Sequence, residues 1–319
     1  MNPLSLALGW LLDFDTCVRV PFAAGDAPNQ DNASGTRKVC DTPCVFSASE
    51  APPGVIIPPH CEQSYCNVRC RYIAFYCEVA ALHGGETPIV DMQAAYASLP
   101  RRLRDYLDGA VIEVGGKRRT YAPASWTMCL GASHESEARA NCERQGMQVL
   151  KAASGSLQVR GETPAVVVHP QTQQRCLTIN NDVTQFYWWN VLGPFLPCSR
   201  SWSARLLRRL LVPLFVRLPV VERFAAASLR AFLKRTIGET ELSSTQIKRG
   251  VTPITHADRV MINDALRRHS TLFRWQAGDI LILDNIRAGH ARLDFKGPRK
   301  TWTMMCSTYD ARTVRAQDL

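Results

Sequence analysis

Gly278-Asp279-Ile280-Leu281-Ile282-Leu283-Asp284-Asn285 is the stretch from which the fold is read. Two turn formers feed four consecutive branched aliphatic residues, and a second polar pair closes the run. An apolar run this short between such signals predicts a strand buried on both faces rather than a helix. Working outward, Gly297-Pro298 turns the chain into a last strand from Arg299 to Tyr309. Upstream, Tyr72 to Val79 is aromatic and β-branched, Pro88 to Asp91 follows the Gly84-Gly85 turn, and further short strands are predicted at 148–150, 157–160, 165–169 and 176–179. Met92, Ala95, Tyr96, Leu99, Leu103 and Leu107 recur at helical spacing with an interruption at Pro100, and a second short helix over 135–145 stops at Gly146. Residues 25 to 59, rich in Gly and Pro, are predicted to be loop, with regular structure beginning near His60. Many short strands without long alternating helices argue for a mainly β protein with flanking helices, a barrel or jelly roll, and against a doubly wound sheet.

Composition narrows the class further. With 46% hydrophobic and 21% charged residues, 319 residues suffice for a sizeable core, which excludes disorder and coiled coil as whole-chain descriptions. No apolar run reaches the roughly 18 residues needed to cross a bilayer. The twelve cysteines are under 4% of the chain, below the density of a disulfide-stapled scaffold, so a reduced interior is expected. Leu4 to Leu12 is apolar, but no Lys or Arg precedes it and Asp13 and Asp15 follow; that is the wrong flanking charge for a signal peptide, and a cytoplasmic location is expected.

The net charge of +10 is local. Residues 199 to 236 hold nine basic residues against the single acid Glu222, an excess of eight of the ten charges. Leu206, Leu207, Leu210 and Leu211, then Val221, Phe224, Leu229 and Phe232, recur at helical spacing, split by Pro213 and Pro219. This predicts a basic amphipathic helical insert, drawn at 197–250, within one domain spanning 1–319. Such helices either cover one mouth of the barrel or meet an acidic partner or a membrane surface; no nucleic-acid partner is expected.

Chemistry concentrates in Pro59-His60-Cys61-Glu62-Gln63-Ser64-Tyr65. On a strand, positions i and i+2 share a side, so His60 and Glu62 can present an imidazole and a carboxylate to one point. That is two-thirds of a facial triad, whose third member would be a histidine from elsewhere in the chain. Three further segments stand in order behind it: Gly84-Gly85-Glu86-Thr87-Pro88, then Trp275-Gln276-Ala277-Gly278-Asp279 leading through Asp284-Asn285 to His290, then Phe295-Lys296-Gly297-Pro298-Arg299.

This ordered set resembles the TauD/TfdA family of Fe(II)- and 2-oxoglutarate-dependent dioxygenases over roughly residues 39 to 195 and 260 to 310. It is most similar to the branch of syringomycin-biosynthesis-type hydroxylases, in which Ser-Tyr follows the His-x-Glu pair. The resemblance implies a double-stranded β-helix (jelly-roll, cupin-like) core, with His60, Glu62 and His290 holding Fe(II), Thr87 donating to 2-oxoglutarate, and Arg299 clamping its distal carboxylate. A guanidinium suits that carboxylate because its planar fork matches two oxygens. Asn181 and Gln185, beside Phe186-Tyr187-Trp188-Trp189, fall where the resembling enzymes line a substrate pocket. The implied reaction couples O2 and 2-oxoglutarate to hydroxylation of a small carboxylated or amino-acid-like substrate, free or carried on a protein, with release of succinate and CO2. Glu62 fills the space that a related halogenase opens for halide, which disfavours halogenation. The other function classes are a non-catalytic binding module, for which a broken triad is expected, and a membrane-surface or acidic-partner protein using the basic helices.

Three features are set beside this reading. Cys61 stands between the two proposed ligands, where a thiol could be oxidised or favour a softer metal. Cys61, Cys66, Cys70 and Cys77 lack the paired C-x2-C knuckle of a zinc site and are read as small buried hydrophobes. Arg292 is read as a solvated charge in preference to a second carboxylate contact, and Asp284 or Asn285 as fixing the loop before His290.

Overall fold

A computed structural model describes residues 45–48, 53–54, 56–119, 134–144, 146–153, 156–179 and 244–314, with 210, 218–221 and 224. In chain order the strands are β1 (Val45–Ser47), β2 (Ile57–His60), β3 (Val68–Val79), β4 (His83–Gly84), β5 (Thr87–Asp91), β6 (Val111–Arg119), β7 (Met147–Ala153), β8 (Ser156–Pro164), β9 (Val166–Val168), β10 (Arg175–Leu177), β11 (Ser244–Arg249), β12 (Thr252–Pro253), β13 (Ser270–Phe273), β14 (Ile280–Asp284), β15 (Ala288–Arg292), β16 (Phe295–Lys296) and β17 (Lys300–Asp310). The helices are α1 (Met92–Ala97), α2 (Arg101–Asp108), α3 (Glu135–Arg144) and α4 (His256–Arg268). The mainly β class read from the residue pattern is what the strands and helices form.

Two four-stranded antiparallel sheets position the site, one ordered β1-β17-β3-β14 and the other β13-β5-β15-β2. Along β3 the alternation of a strand sorts the side chains. Ile73 and Phe75 pack with Leu283, Met305, Ile89 and Ala288, while Tyr72, Ala74 and Tyr76 pack with Trp302 and Met304 on the opposite face. Ile89 and Ala288 belong to the second sheet, so the first set is the layer between the sheets. The outer side of the second sheet meets α1, α2 and α4 through Val90, Met92, Leu103, Leu107 and Leu266. Pro100 splits α1 from α2 as predicted, and Gly146 follows α3 with a left-handed φ of 72°.

Several elements depart from the sequence reading. β14 is not buried on both faces: Ile280, Leu281 and Ile282 are half-buried, because β14 lies at the end of its sheet. The stretch read as loop before His60 contains β1 and β2. Pro58 and Pro59 sit inside β2, where they are tolerated because that strand is also at a sheet end and needs few ladder donors. α4 was not expected, although Thr255 caps it by accepting from the Asp258 N–H at 3.1 Å, the T-x-x-D signature of a helix start. A third sheet, β12-β11-β6-β8-β7, joins the strands predicted at 148–150 and 157–160 to β6, β11 and β12, which were not expected. Its β11 lies within the 197–250 range, so residues 244–249 are strand rather than helix. Most of 197–243, like Asn181 and Gln185, lies outside the described residues. Among the described residues no helix is long and apolar enough to cross a membrane.

One ladder brings the motifs together. β5 and β15 pair from Ala288↔Asp91 to His290↔Ile89, and β4 and β16 continue the same register with Phe295↔Gly84 and Lys296↔His83. The Leu293 N–H to Glu86 carbonyl bond (3.1 Å) and the Gly85 N–H to Asp294 carbonyl bond (2.9 Å) fill the gap. Gly84 makes this pairing possible: φ is +74°, and a Cβ there would lie 2.2 Å from the Asp294 carbonyl oxygen. Gly84→Ala is therefore expected to cost about 1–3 kcal/mol in denaturant unfolding, while Gly54→Ala, with nothing within 4 Å of the added carbon, stays within about 0.5 kcal/mol.

Candidate metal centre

His60 ends β2 and His290 lies in the middle of the neighbouring β15, and the two are register partners. Their ring centroids are 4.4 Å apart. Three residue steps of β2 (His60 back to Ile57) span two of β15 (His290 to Arg292), an irregularity that contains the two prolines. The His60 Nδ1–H donates to the Pro58 carbonyl at 2.9 Å, which leaves the Nε2 lone pair free to coordinate. Phe75 of the opposite sheet backs the His290 ring at 5.3 Å.

Glu62 completes the group. One carboxylate oxygen lies 3.8 Å from Nε2 of His60 and 3.8 Å from Nε2 of His290. The three ligand atoms lie within 4.8 Å of one another, and this is the only such cluster of His, Cys, Asp or Glu among the described residues. Ligands about 2.1 Å from one ion at right angles would be about 3 Å apart, so the set needs only small side-chain adjustments to close on a metal. Two imidazoles and a carboxylate are the donor set of non-haem Fe(II) sites, and the group fits.

The loop that presents Glu62 is held from afar. The Asn285 side chain accepts the Glu62 N–H (2.7 Å) and donates to the Glu62 carbonyl (2.9 Å) and the Cys70 carbonyl (2.9 Å). Gln63 adopts a left-handed φ of 58°, and its side-chain oxygen accepts the Cys70 N–H at 2.7 Å. Asp284 does a different job. One oxygen accepts from the Ile286 N–H, and the other from Arg71 Nη2 and His169 Nε2, both at 2.8 Å. His169 Nδ1 accepts the Thr172 N–H, which places the ring proton on Nε2, facing Asp284. Both residues of the Asp284-Asn285 pair thus matter: one anchors the turn, the other clamps Glu62.

Cys61 does not join the cluster. Its thiol packs into the hydrophobic core 4.0 Å from the Leu177 carbonyl, and burial pushes its pKa up to about 11. Cys66, Cys70 and Cys77 are likewise buried thiols, none of them in a disulfide.

Thr87 begins β5 two residues from Ile89, which faces His290 across the ladder, so it lies about 6.6 Å along the strand from the metal group. It is 5% exposed, and its hydroxyl accepts the Trp275 Nε1–H at 2.9 Å. Continuing the register sets Arg292 beside Thr87. Arg292 is 5% exposed, which corrects its reading as a solvated charge; its place two residues after His290 on one strand was the available signal. Arg299 packs against Gly85, where an added Cβ would be 3.3 Å from its Cδ. The Arg292 and Arg299 guanidiniums sit 5.3 and 5.5 Å from the Phe295 ring centre. Burial, and then the charge of Arg299, draws the Arg292 pKa down to about 10, and burial lowers that of Arg299. No carboxylate among the described residues pairs with Arg299. The Thr301 hydroxyl, buried two residues beyond it, has no hydrogen-bond partner among the described residues. A buried and a half-buried cation beside buried hydroxyl groups suit an anionic ligand.

A two-histidine, one-carboxylate cluster between two antiparallel sheets, with Arg292 and Arg299 close by, is the donor set of the oxygenase class of non-haem site. The sequence profile described as "Taurine catabolism dioxygenase TauD, TfdA family" matches residues 25–210 and 213–307, and the chain belongs to that family. Its members use Fe(II), 2-oxoglutarate and O2. The chain is 24% identical over 264 residues to the dapdiamide synthesis protein DdaC of Enterobacter agglomerans, covering 80% of this chain and 67% of that one. A taurine dioxygenase structure from Burkholderia xenovorans aligns with 84% of this chain at 18% identity and a TM-score of 0.42, and the chain spans 63% of its length. The structure of AAD-2 with Mn(II) and N-oxalylglycine aligns with 84% of this chain and 74% of its own, at 12% identity and a TM-score of 0.45.

Asn285→Leu should weaken Mn(II) or Fe(II) binding about 10–100-fold in anaerobic calorimetry, because a carboxylate ligand is only as well placed as the backbone carrying it. At pH 8 a thiol of pKa about 11 is ionised in about one molecule per thousand, so Cys61 should resist alkylation in the native protein and react on unfolding, as peptide mass mapping would show.

Proposed function

We propose that this chain is an Fe(II)- and 2-oxoglutarate-dependent dioxygenase that hydroxylates an unactivated C–H bond of a small carboxylated or amino-acid-like substrate, free or tethered to a carrier protein. The observation that carries the reading is the meeting of His60, Glu62 and His290 beside a pocket furnished by Thr87, Arg292 and Arg299. The two four-stranded sheets are read as the halves of a double-stranded β-helix in a single domain. The likeness to a dapdiamide synthesis protein favours a biosynthetic, amino-acid-like substrate.

His60 and His290 would bind the metal through Nε2 and Glu62 through a carboxylate oxygen, leaving one side of the ion for exchangeable ligands. When bound, the ion supplies the redox chemistry by which O2 and 2-oxoglutarate yield succinate, CO2 and an oxidised substrate. The chain's own residues bind and orient. Arg299 holds the distal carboxylate as a bidentate donor, Thr87 adds a hydroxyl donor, and Arg292 adds positive charge on the same face. Phe75 and Trp275 wall the pocket toward the opposite sheet. Glu62 occupies the place a halide would need, so hydroxylation is preferred to halogenation.

With Fe(II) and ascorbate the purified protein should convert 2-oxoglutarate to succinate, faster with substrate than without it. His290→Ala abolishes turnover; undiminished succinate release in that variant refutes the assignment. Arg299→Leu should raise KM for 2-oxoglutarate about 10-fold or more while Fe(II) affinity stays unchanged.

A further inference from the structure

We propose that Trp275 is a positioning residue for the cosubstrate: its indole N–H holds the Thr87 oxygen as an acceptor and thereby aims the Thr87 hydrogen into the pocket, at a carboxylate oxygen of 2-oxoglutarate. The proposal rests on the 2-oxoglutarate reading and adds the device that orients one of its donors.

An indole N–H can only donate, so at 2.9 Å from Trp275 Nε1 the Thr87 hydroxyl must accept. A hydroxyl has one hydrogen, and with one lone pair engaged that hydrogen is confined to the two remaining staggered positions. Thr87 is 5% exposed, and Trp275 is the one hydrogen-bond partner of its hydroxyl among the described residues. Among the described residues the buried hydrogen therefore has no acceptor. A carboxylate oxygen is a suitable acceptor, and the adjacent guanidiniums of Arg292 and Arg299 favour the same charge.

The indole is itself packed between aromatic rings. Phe273, two residues before it, is the cross-strand partner of Thr87 in the β13–β5 ladder. The Trp275 ring meets Phe273 edge-on at 4.8 Å and Phe75 at 6.4 Å, and Phe75 backs His290 at 5.3 Å. The turn after Trp275 is pinned by the Gln276 N–H donating to the Asp279 carboxylate at 2.7 Å and the Asp279 N–H donating to the Gln276 carbonyl at 3.1 Å. A donor fixed before binding loses no rotational freedom when the ligand arrives. The Trp275-Gln276-Ala277-Gly278-Asp279 segment, whose tryptophan otherwise has only a wall to form, thus acquires a chemical task.

The test is a binding cycle on Mn(II)-loaded protein under argon, measuring Kd for 2-oxoglutarate by calorimetry in Trp275→Phe, Thr87→Val and the double variant, with Mn(II) affinity measured in each. Trp275→Phe and Thr87→Val should each weaken 2-oxoglutarate about 10-fold, and the double variant should be no weaker than Thr87→Val, because Trp275 acts through the hydroxyl. In a Thr87→Ser background, which keeps the hydroxyl, the Trp275→Phe loss should return. Mn(II) affinity should stay within about twofold throughout. Replacing Trp275 by 3-benzothienylalanine, which keeps the bicyclic shape without the N–H, should give the same loss and serves if the phenylalanine variant does not fold. Losses that multiply in the double variant, or an unchanged Kd in Trp275→Phe or the benzothienyl protein, overturn the proposal. Wild-type protein that binds Mn(II) but no 2-oxoglutarate overturns the cosubstrate reading beneath it.

Discussion

The side-chain amide of Asn285 gripping both the N–H and the C=O of Glu62 is the constraint on which the centre depends. The two residues are separated by 223 positions, yet the bonds are 2.7 and 2.9 Å and fully buried. The histidines do not need such help, since both sit on paired strands whose ladder fixes their direction. Glu62 lies just past the end of β2, in a tight loop where the following residue is left-handed, and no ladder reaches it. Without the amide from the second sheet junction, the carboxylate would be carried on a segment free to turn. Asp284 makes the amide reliable in turn, because its ties to Arg71 and His169 fix the turn from which Asn285 projects.

The neighbouring pocket shows a second kind of constraint. Burial disfavours the charged form of a guanidinium, and burial together with the charge of Arg299 lowers the affinity of Arg292 for its proton. The face of Phe295 offers partial relief to Arg292 and Arg299. Such an arrangement is held by the fold rather than chosen by its own energetics, which is the common condition of a binding site. The register that runs from Asp91 to His83 supplies part of the holding: it sets Arg292 beside Thr87 on the strands next to His290, and Arg299 packs against Gly85 of the same segment.

Much of the local structure was legible because it follows from short-range rules. The Pro100 break, the Gly146 stop, and the strands read at 72–79, 88–91 and 299–309 each have a cause within a few residues. Pro58 and Pro59 were misread because proline is a poor strand former on average but harmless at a sheet end, and sheet order is not written in the neighbouring residues. The apolar run 280–283 was misread for the same reason: its composition suits a central strand, but its half-burial follows from lying at the end of its sheet.

For the site, the chain by itself determined the ligand types and their order: a His-x-Glu pair whose spacing shares a strand face, a later histidine, and flanking segments whose sequence matches a family. These are visible in one dimension because each motif is contiguous. Only the tertiary structure decided that Asn285 holds Glu62, that Cys61 turns into the core, that Arg292 is buried, and that Trp275 reaches Thr87. Each of those is a contact across many intervening residues, and hydrogen-bond direction and burial exist only after the strands have paired.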